Sequence, residues 1–404
     1  MKIPGALVIL CCGGCALGAP RVATDLEPVL RRHLADAAIA PLGDAATYRV
    51  QALISTVDTA PDRTPRLKRS GYRLGAEYFY PASAIKLAAA VAALQTIERL
   101  GQADGSIDLA EVPLEIAPLF DGDRLQQEDP TNLAGGRITV AHEIRKLALV
   151  SDNQAFNRLY DLVGYDELNA AMRRLGLDST VIAHRLSDTR AIPDARASAA
   201  VTFHPPGRPP IVVPARTSTA SRVNRGPGLL IGTAFVRDGE TIREPMDFTG
   251  RNGMSLLDLQ NLLVKVARPD IDVGGPPLRL TDAHRALLLD AMTRYPAESS
   301  NPVYPAAAFP DDVSKFLLPG IRRVFPSTRA GDRIDVTGKI GQAYGFTVEN
   351  AYLRNPANGR AVFVAAVIYT NSDGVLNDDQ YEYDAIGRPF MAELGRLVAN
   401  ERLR

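Results

Sequence analysis

The chain has 404 residues, and its 46 Lys+Arg balance 46 Asp+Glu. A neutral chain of this length can bury a large core, and it lacks the basic excess of a protein that lives on nucleic-acid phosphates, so no nucleic-acid partner is expected. With 46% hydrophobic and 23% charged residues it has globular rather than disordered composition. All three cysteines lie at 11, 12 and 15, which leaves the rest of the chain without a disulfide framework or a thiolate zinc site. No later stretch approaches the roughly 18 apolar residues of a membrane span, so a soluble protein is predicted.

Lys2, the apolar run Ala6–Leu10 and the small residues up to Gly18 read as a secretory signal peptide over residues 1–18. That address predicts export, to the periplasm or the medium. Lipid attachment at Cys15, which follows Gly14, is the alternative. Residues 25–37 are predicted as an amphipathic helix with Leu26, Val29, Leu30 and Leu34 on one face. Strands are expected at 48–57 and 72–79. Residues 83–100 are apolar nearly all round, which predicts a buried helix stopped by Gly101. Three more helices follow at 139–149, 154–162 and 166–175.

Residues 185–250 hold eight prolines, nine arginines, six acids and no lysine. This is read as a long irregular insertion without a core of its own, its arginines on a solvated surface. Helices resume at 254–266 and 281–294. Strands are then expected at 333–339, 346–353 and 361–369, and a closing helix at 389–403. Strands at both ends around a helical middle predict an α/β (α+β) fold. One antiparallel sheet built from both termini, with flanking helices, would carry an inserted all-helical lobe. The sheet part is placed at about 24–80 and 320–404 and the helical part at about 83–300, in one domain spanning 19–404.

Three short boxes carry chemistry. Ser83-Ala-Ile-Lys86 puts a hydroxyl and an amine on one helix face, where the amine can reach the hydroxyl. Burial lowers a lysine pKa, and a neutral lysine can take the serine proton, while the helix N-terminus favours a developing anion. With 16 serines and 7 lysines in the chain, about 0.3 such matches are expected by chance, and one occurs. Ser151-Asp-Asn153 read alone is a helix-capping cluster, and Lys339-Ile-Gly341 read alone is a strand-end lysine before a turn. Their order changes the reading. S-x-x-K, then S-D-N, then a strand-borne K-x-G is the pattern of the penicillin-interacting serine enzymes.

On these boxes the chain resembles the serine β-lactamase and penicillin-binding-protein superfamily, most nearly class A, over residues 24–184 and 250–404. The resemblance implies the β-lactamase/transpeptidase-like fold and an exported, antibiotic-resistance type of hydrolase. Such an enzyme opens β-lactams or related amides through an acyl-enzyme. It implies Ser83 as nucleophile, Lys86 as general base or relay, Ser151 as proton donor to the leaving nitrogen and Lys339 as the source of positive potential. Asn153 would bond the substrate amide, Asp152 would brace the turn, and Gly341 and Gln342 would line the substrate edge. The oxyanion hole would be the N–H groups of Ser83 and Gln342. It also implies a monomer that acts on a small β-lactam or peptidoglycan-like substrate without metal or cofactor. A D-alanyl-D-alanine peptidase or esterase, or a penicillin-binding sensor that acylates without turnover, remain the alternatives.

Two departures from class A stand out. Its deacylating glutamate belongs to a Glu-x-x-Leu-Asn box, and here the nearest match, Tyr165-Asp-Glu-Leu-Asn169, has tyrosine in that place and runs into a helix. The counterpart loop should begin near His184-Arg-Leu186, where Asp188 and Asp194 are the first acids. Without a recognisable base, slow deacylation is expected. The second departure is Ile340, which cannot donate to a substrate carboxylate; that role would fall to Lys339, Ser151 or an unassigned arginine. The five histidines (33, 142, 184, 204 and 284) are scattered and are read as surface or core residues.

Overall fold

The computed structural model describes residues 22–23, 25–33, 40–60, 63–188 and 194–404. The predicted signal segment and Cys15 lie outside the described residues. Helices α1 (Leu26–His33) and α2 (Ala40–Gly43) lead into strands β1 (Gln51–Thr59) and β2 (Pro65–Tyr72). The helical lobe follows: α3 (Lys86–Ala103), α4 (Val140–Leu149), α5 (Asn153–Val163), α6 (Tyr165–Arg174), α7 (Leu256–Ala267) and α8 (Asp282–Thr293). After α9 (Leu318–Val324) the chain returns to the sheet with β3 (Asp335–Gly338), β4 (Gly341–Ala343), β5 (Phe346–Arg354) and β6 (Ala361–Tyr369), and it closes with α10 (Arg388–Val398).

The sheet order is β3-β5-β6-β1-β2, with β4 also on β5, and every pairing is antiparallel. β6 lies at its centre and is buried at all nine positions. Both sheet faces are covered, so its sequence is a continuous apolar run rather than an alternation. Ala52, Ile54, Val362 and Val364 face α1, α9 and α10. Leu53, Phe363, Ala365 and Val367 face the lobe. The expected mixed fold, a sheet from both ends of the chain with a helical lobe between, is the one observed.

Several local expectations are corrected. The strand partnering β1 is not 72–79 but β2, which ends where that segment begins. β2 is an edge strand with Arg66 and Lys68 exposed, so its polar alternation hides it, and the aromatic residues after it belong to the loop before the lobe. Gly101 does not stop α3, which runs to Ala103. A Cβ there would sit 2.0 Å from the Ile107 carbonyl oxygen, so the glycine serves close approach.

Residues 185–250 are not plain coil. Val201–Phe203 lies between Leu114–Ile116 and Ile211–Val213, and Ala234–Arg237 pairs with both Glu240–Ile242 and Val375–Leu376. Phe203, Ile231, Phe235 and Phe248 join the lobe core. Nor are all of its arginines solvated: Arg185 is buried against Asp161, and Arg216 donates to the Asp161 and Leu162 carbonyls at 3.1 and 2.9 Å.

Candidate active site

Ser83 lies in a tight 3-10 turn, Ala82–Ile85, that leads into α3. Ala82 holds φ at +48°, a left-handed conformation that costs energy in a residue with a Cβ and persists only when packing enforces it. The enforcement is visible. Tyr80 packs edge-on against Tyr344 at 5.0 Å and lies 5.8 Å from Phe248 of the insertion. Three residues after Ser83, Lys86 is fully buried in the first turn of α3.

Thr139 caps α4, its hydroxyl accepting from His142 N at 3.2 Å. α5 is capped by Asp152, whose Oδ1 accepts from Ala155 N at 2.8 Å. Capping by Asp152 leaves Ser151, at φ +61°, free to turn its side chain towards the lysines. Lys339 sits in the break between β3 and β4, its N–H bonded to Asn350 O at 2.9 Å.

The three boxes converge on one hydroxyl. Lys339 Nζ donates to Ser151 Oγ at 2.8 Å and to Ile340 O at 2.9 Å. Lys86 Nζ lies 3.2 Å from the same Oγ, 2.6 Å from Asn153 Oδ1, and also bonds Ser151 O. The half-buried Ser83 hydroxyl takes no part in this network; in place of the Lys86–Ser83 contact predicted from helical spacing, Lys86 turns to Ser151 and Asn153. Burial pulls the Lys86 ammonium down to about 7, and Asp152 opposes that shift. Lys339 is held well below its ordinary value, first by burial and then by repulsion from Lys86 and Lys315.

Gly341 explains how β4 reaches the nucleophile. A Cβ there would lie 2.3 Å from Pro81 O and 2.9 Å from Ser83 N. Only glycine lets the strand press against the backbone of the Ser83 turn, which brings Gln342 beside it. The Ile340 side chain is buried in the core on the α9–α10 side of the sheet with Val336 and Leu353, so it does not face Ser151. An arginine reaches this edge: Arg388, at the start of α10, whose Nη2 donates to Gln342 Oε1 at 3.4 Å. Nothing in the local sequence of α10 signals that contact.

The opposite wall is the segment around His184–Ser187. Asn157 clamps Leu186 through both of its main-chain groups at 2.9 and 3.0 Å, and Asn252 accepts from Ala183 and His184 N–H. So held, Ser187 Oγ accepts from Asn153 Nδ2 at 2.7 Å. A hydroxyl therefore meets the Asn153 amide of the Ser-Asp-Asn turn. Tyr165-Asp-Glu-Leu-Asn169 is helical, with Asn169 bonded to Tyr165 and Ile182 in the core and Glu167 paired to Arg99 and Arg174. The Asp194 side chain lies outside the described residues. His142, His184, His204 and His284 bond to Thr131, Arg185, Glu115 and Glu98 respectively, none of them in the Ser151 network. Among the described residues no group of three or more His, Cys, Asp or Glu side chains is placed to hold a metal ion.

Residues 71–205 match a family model described as "Beta-lactamase enzyme family". That segment carries the first two boxes, and the fold brings the third to them. The match covers about a third of the chain and shows a likeness of that segment to the family. Among solved structures it is similar to a β-lactamase from Desulfarculus baarsii, with 18% identity, 93% of this chain and 97% of that one covered, and a TM-score of 0.48. A β-lactamase from Xanthomonas campestris pv. campestris shows 15% identity, 94% and 99% coverage and a TM-score of 0.49. PBP-A shows 16% identity, 95% and 97% coverage and a TM-score of 0.47. No curated protein matches the chain.

Proposed function

We propose that this chain is a serine hydrolase of the β-lactamase superfamily, exported and class A-like, that opens β-lactams, or amides of similar shape, by acyl transfer to Ser83. The observation that carries the reading is the Ser151 hydroxyl held between Lys86 and Lys339 at 3.2 and 2.8 Å. With a pKa near 7, Lys86 spends part of its time neutral and draws the Ser83 proton directly or through Ser151. Ser83 Oγ bonds to the carbonyl carbon and the C–N bond breaks. The proton then passes from Ser151 to the leaving nitrogen, and the Ser83 and Gln342 N–H groups stabilise the oxyanion. Such donors are worth about 10²–10³ in rate each. Arg388 supplies a cation for a substrate carboxylate at the Gln342 edge.

The Ser187–Asn153 contact favours a second reading, a protein that acylates and then turns over slowly, as a penicillin sensor or peptidase does. A serine hydroxyl is too weak a base to activate water at neutral pH. Mass spectrometry of the purified protein mixed with a penicillin, followed over time, tests both. One covalent equivalent on Ser83, absent in Ser83→Ala and decaying slowly, is expected. Labelling that survives Ser83→Ala would sink the mechanism. N-terminal sequencing of protein recovered from the host tests export, with cleavage after Gly18 expected and an intact Met1 in the cytosol counting against it.

A further inference from the structure

A cavity of about 560 Å³ opens between the start of β1, the end of α6, the cap of α7 and residues 221–227 of the insertion. Ser83, Lys86, Ser151, Lys339 and Gln342 are not among its lining residues. Hydrogen bonds between distant segments fix its walls. Val181 and Gly253 exchange main-chain bonds at 2.7 and 2.8 Å. Asn224 Nδ2 donates to the Phe248 and Arg251 carbonyls at 2.9 and 2.7 Å. Arg222 N donates to the Tyr165 hydroxyl and Tyr78 N to Pro227 O, both at 2.9 Å. A cavity shaped in advance spares a ligand the cost of ordering it.

The charge along the lining is lopsided. Arg173, Arg222 and Arg225 all border the cavity, and among the described residues none of them has a carboxylate within ion-pair distance. Its acids are Glu77, already paired with Arg73, and the exposed Asp178. Arg222 is half-buried, with Nε closed off from solvent, so its stem is fixed while its terminal nitrogens stay open. Arg173 is held below the ordinary arginine value, first by lost hydration and then by the nearby charge of Arg222. An anion between the two would relieve that repulsion. Elsewhere the lining is apolar, with Phe79 and Met254 both buried.

We propose that this cavity binds a small organic anion, its carboxylate or phosphate head met by Arg173 and Arg222 and its apolar body laid against Phe79 and Met254. Guanidinium groups suit both heads, because their forked N–H donors match two oxygens at once. The volume calls for the body: it is of the size that encloses a whole small molecule rather than a bare inorganic ion. The site stands apart from Ser83 and neither uses nor requires acyl transfer.

Isothermal titration calorimetry on the purified protein tests this, with phenyl phosphate and benzoate as probes. Inorganic phosphate and benzyl alcohol serve as the head alone and the body alone. One saturable site is expected for at least one aromatic anion, about tenfold or more tighter than either fragment, the scale of one charge-assisted hydrogen bond or one buried ring. Tighter binding of phenyl phosphate assigns a phosphate ester head and tighter binding of benzoate a carboxylate; both support the site. Arg222→Met should weaken binding by about 10–100-fold and Arg173→Met by about tenfold. Lys339→Met, in the other anion-attracting part of the molecule, should leave it unchanged. If Arg222→Met does not fold, Arg173→Met decides, because that side chain is exposed. The proposal is overturned if neither aromatic anion gives saturable heat, or if a fragment binds as tightly as the whole probe. It is overturned equally if binding is lost in Lys339→Met and kept in the arginine variants, which would place the anion in the active site.

Discussion

The Ser-Asp-Asn turn stands between two buried polar clusters of opposite design. On one side Lys146 and Arg158 meet Asp129 at 2.6 and 2.9 Å, and Arg158 meets Glu143 at 2.9 Å. Lys146 also reaches Asp152 at 3.6 Å. Every cation there touches a carboxylate. On the other side, among the described residues, Lys86 and Lys339 touch only neutral oxygens, those of Ser151, Asn153 and Ile340. The same residue type is thus a brace in one cluster and a proton carrier in the other. The difference is the carboxylate. A paired buried charge is anchored, because removing its partner leaves an uncompensated ion. An unpaired one is held near its titration point, and its proton can move.

Replacing one lysine from each cluster is the strongest way to break this contrast. Lys86→Met should slow acylation of Ser83 by about 10²–10⁴-fold, the usual worth of a general base, yet leave stability equal to or above the wild type's. Stopped-flow acylation and urea denaturation read the two effects separately. Lys146→Met should do the reverse, costing up to about 3 kcal/mol of stability, the low end for a broken buried pair, because Asp129 keeps Arg158. An unchanged urea midpoint would show that the paired cluster is not a brace.

The pH dependence sharpens the same contrast. Lys86 must be neutral to act as base, so the acylation rate should rise with pH through about 7. Its folded pKa is depressed from 10.5, so the unfolded chain binds more protons between about 7 and 10.5. Its contribution to stability therefore rises with pH across that window and is lost as pH falls through about 7. Lys86→Met should flatten both curves, and a rate profile level through neutrality would count against Lys86 as the base.

Two smaller effects probe the turn itself. Ser187→Glu places a carboxylate where the Asn153 contact now ends in a hydroxyl, and it should shorten the acyl-enzyme lifetime by about 10²-fold, the lower worth of a general base. A lifetime unchanged in this variant would mean that water does not reach that wall. Asp152→Ala removes the α5 cap and should cost about 0.5–2 kcal/mol, measured by thermal or urea unfolding. A larger loss would show that the 3.6 Å contact with Lys146 binds the two clusters into one unit.

Local chemistry made much of this molecule readable from its sequence. The apolar run at 361–369 is the central strand, and Thr139 and Asp152 cap helices at the positions their side chains favour. The order of the three boxes is that of the penicillin-interacting serine enzymes. Local patterns misled where surroundings set the rule. β2 reads as polar because it is a sheet edge, Gly101 is an approach point rather than a stop, and the insertion's aromatic residues are core that no periodicity reveals.

What a residue type, a cap or a period requires is settled within a few positions of chain, and the sequence determines it alone. Which groups meet is settled by packing between distant segments. Ser151 finds its two lysines 65 and 188 residues away, and Ser187 meets Asn153 because two asparagines pin the loop. Ile340 faces the far core while Lys339 beside it faces Ser151, since neighbours along a strand point to opposite sides. Burial shifts pKa values, and burial belongs to the tertiary structure; the sequence supplied the ionisable groups, and the fold decided which of them carry protons.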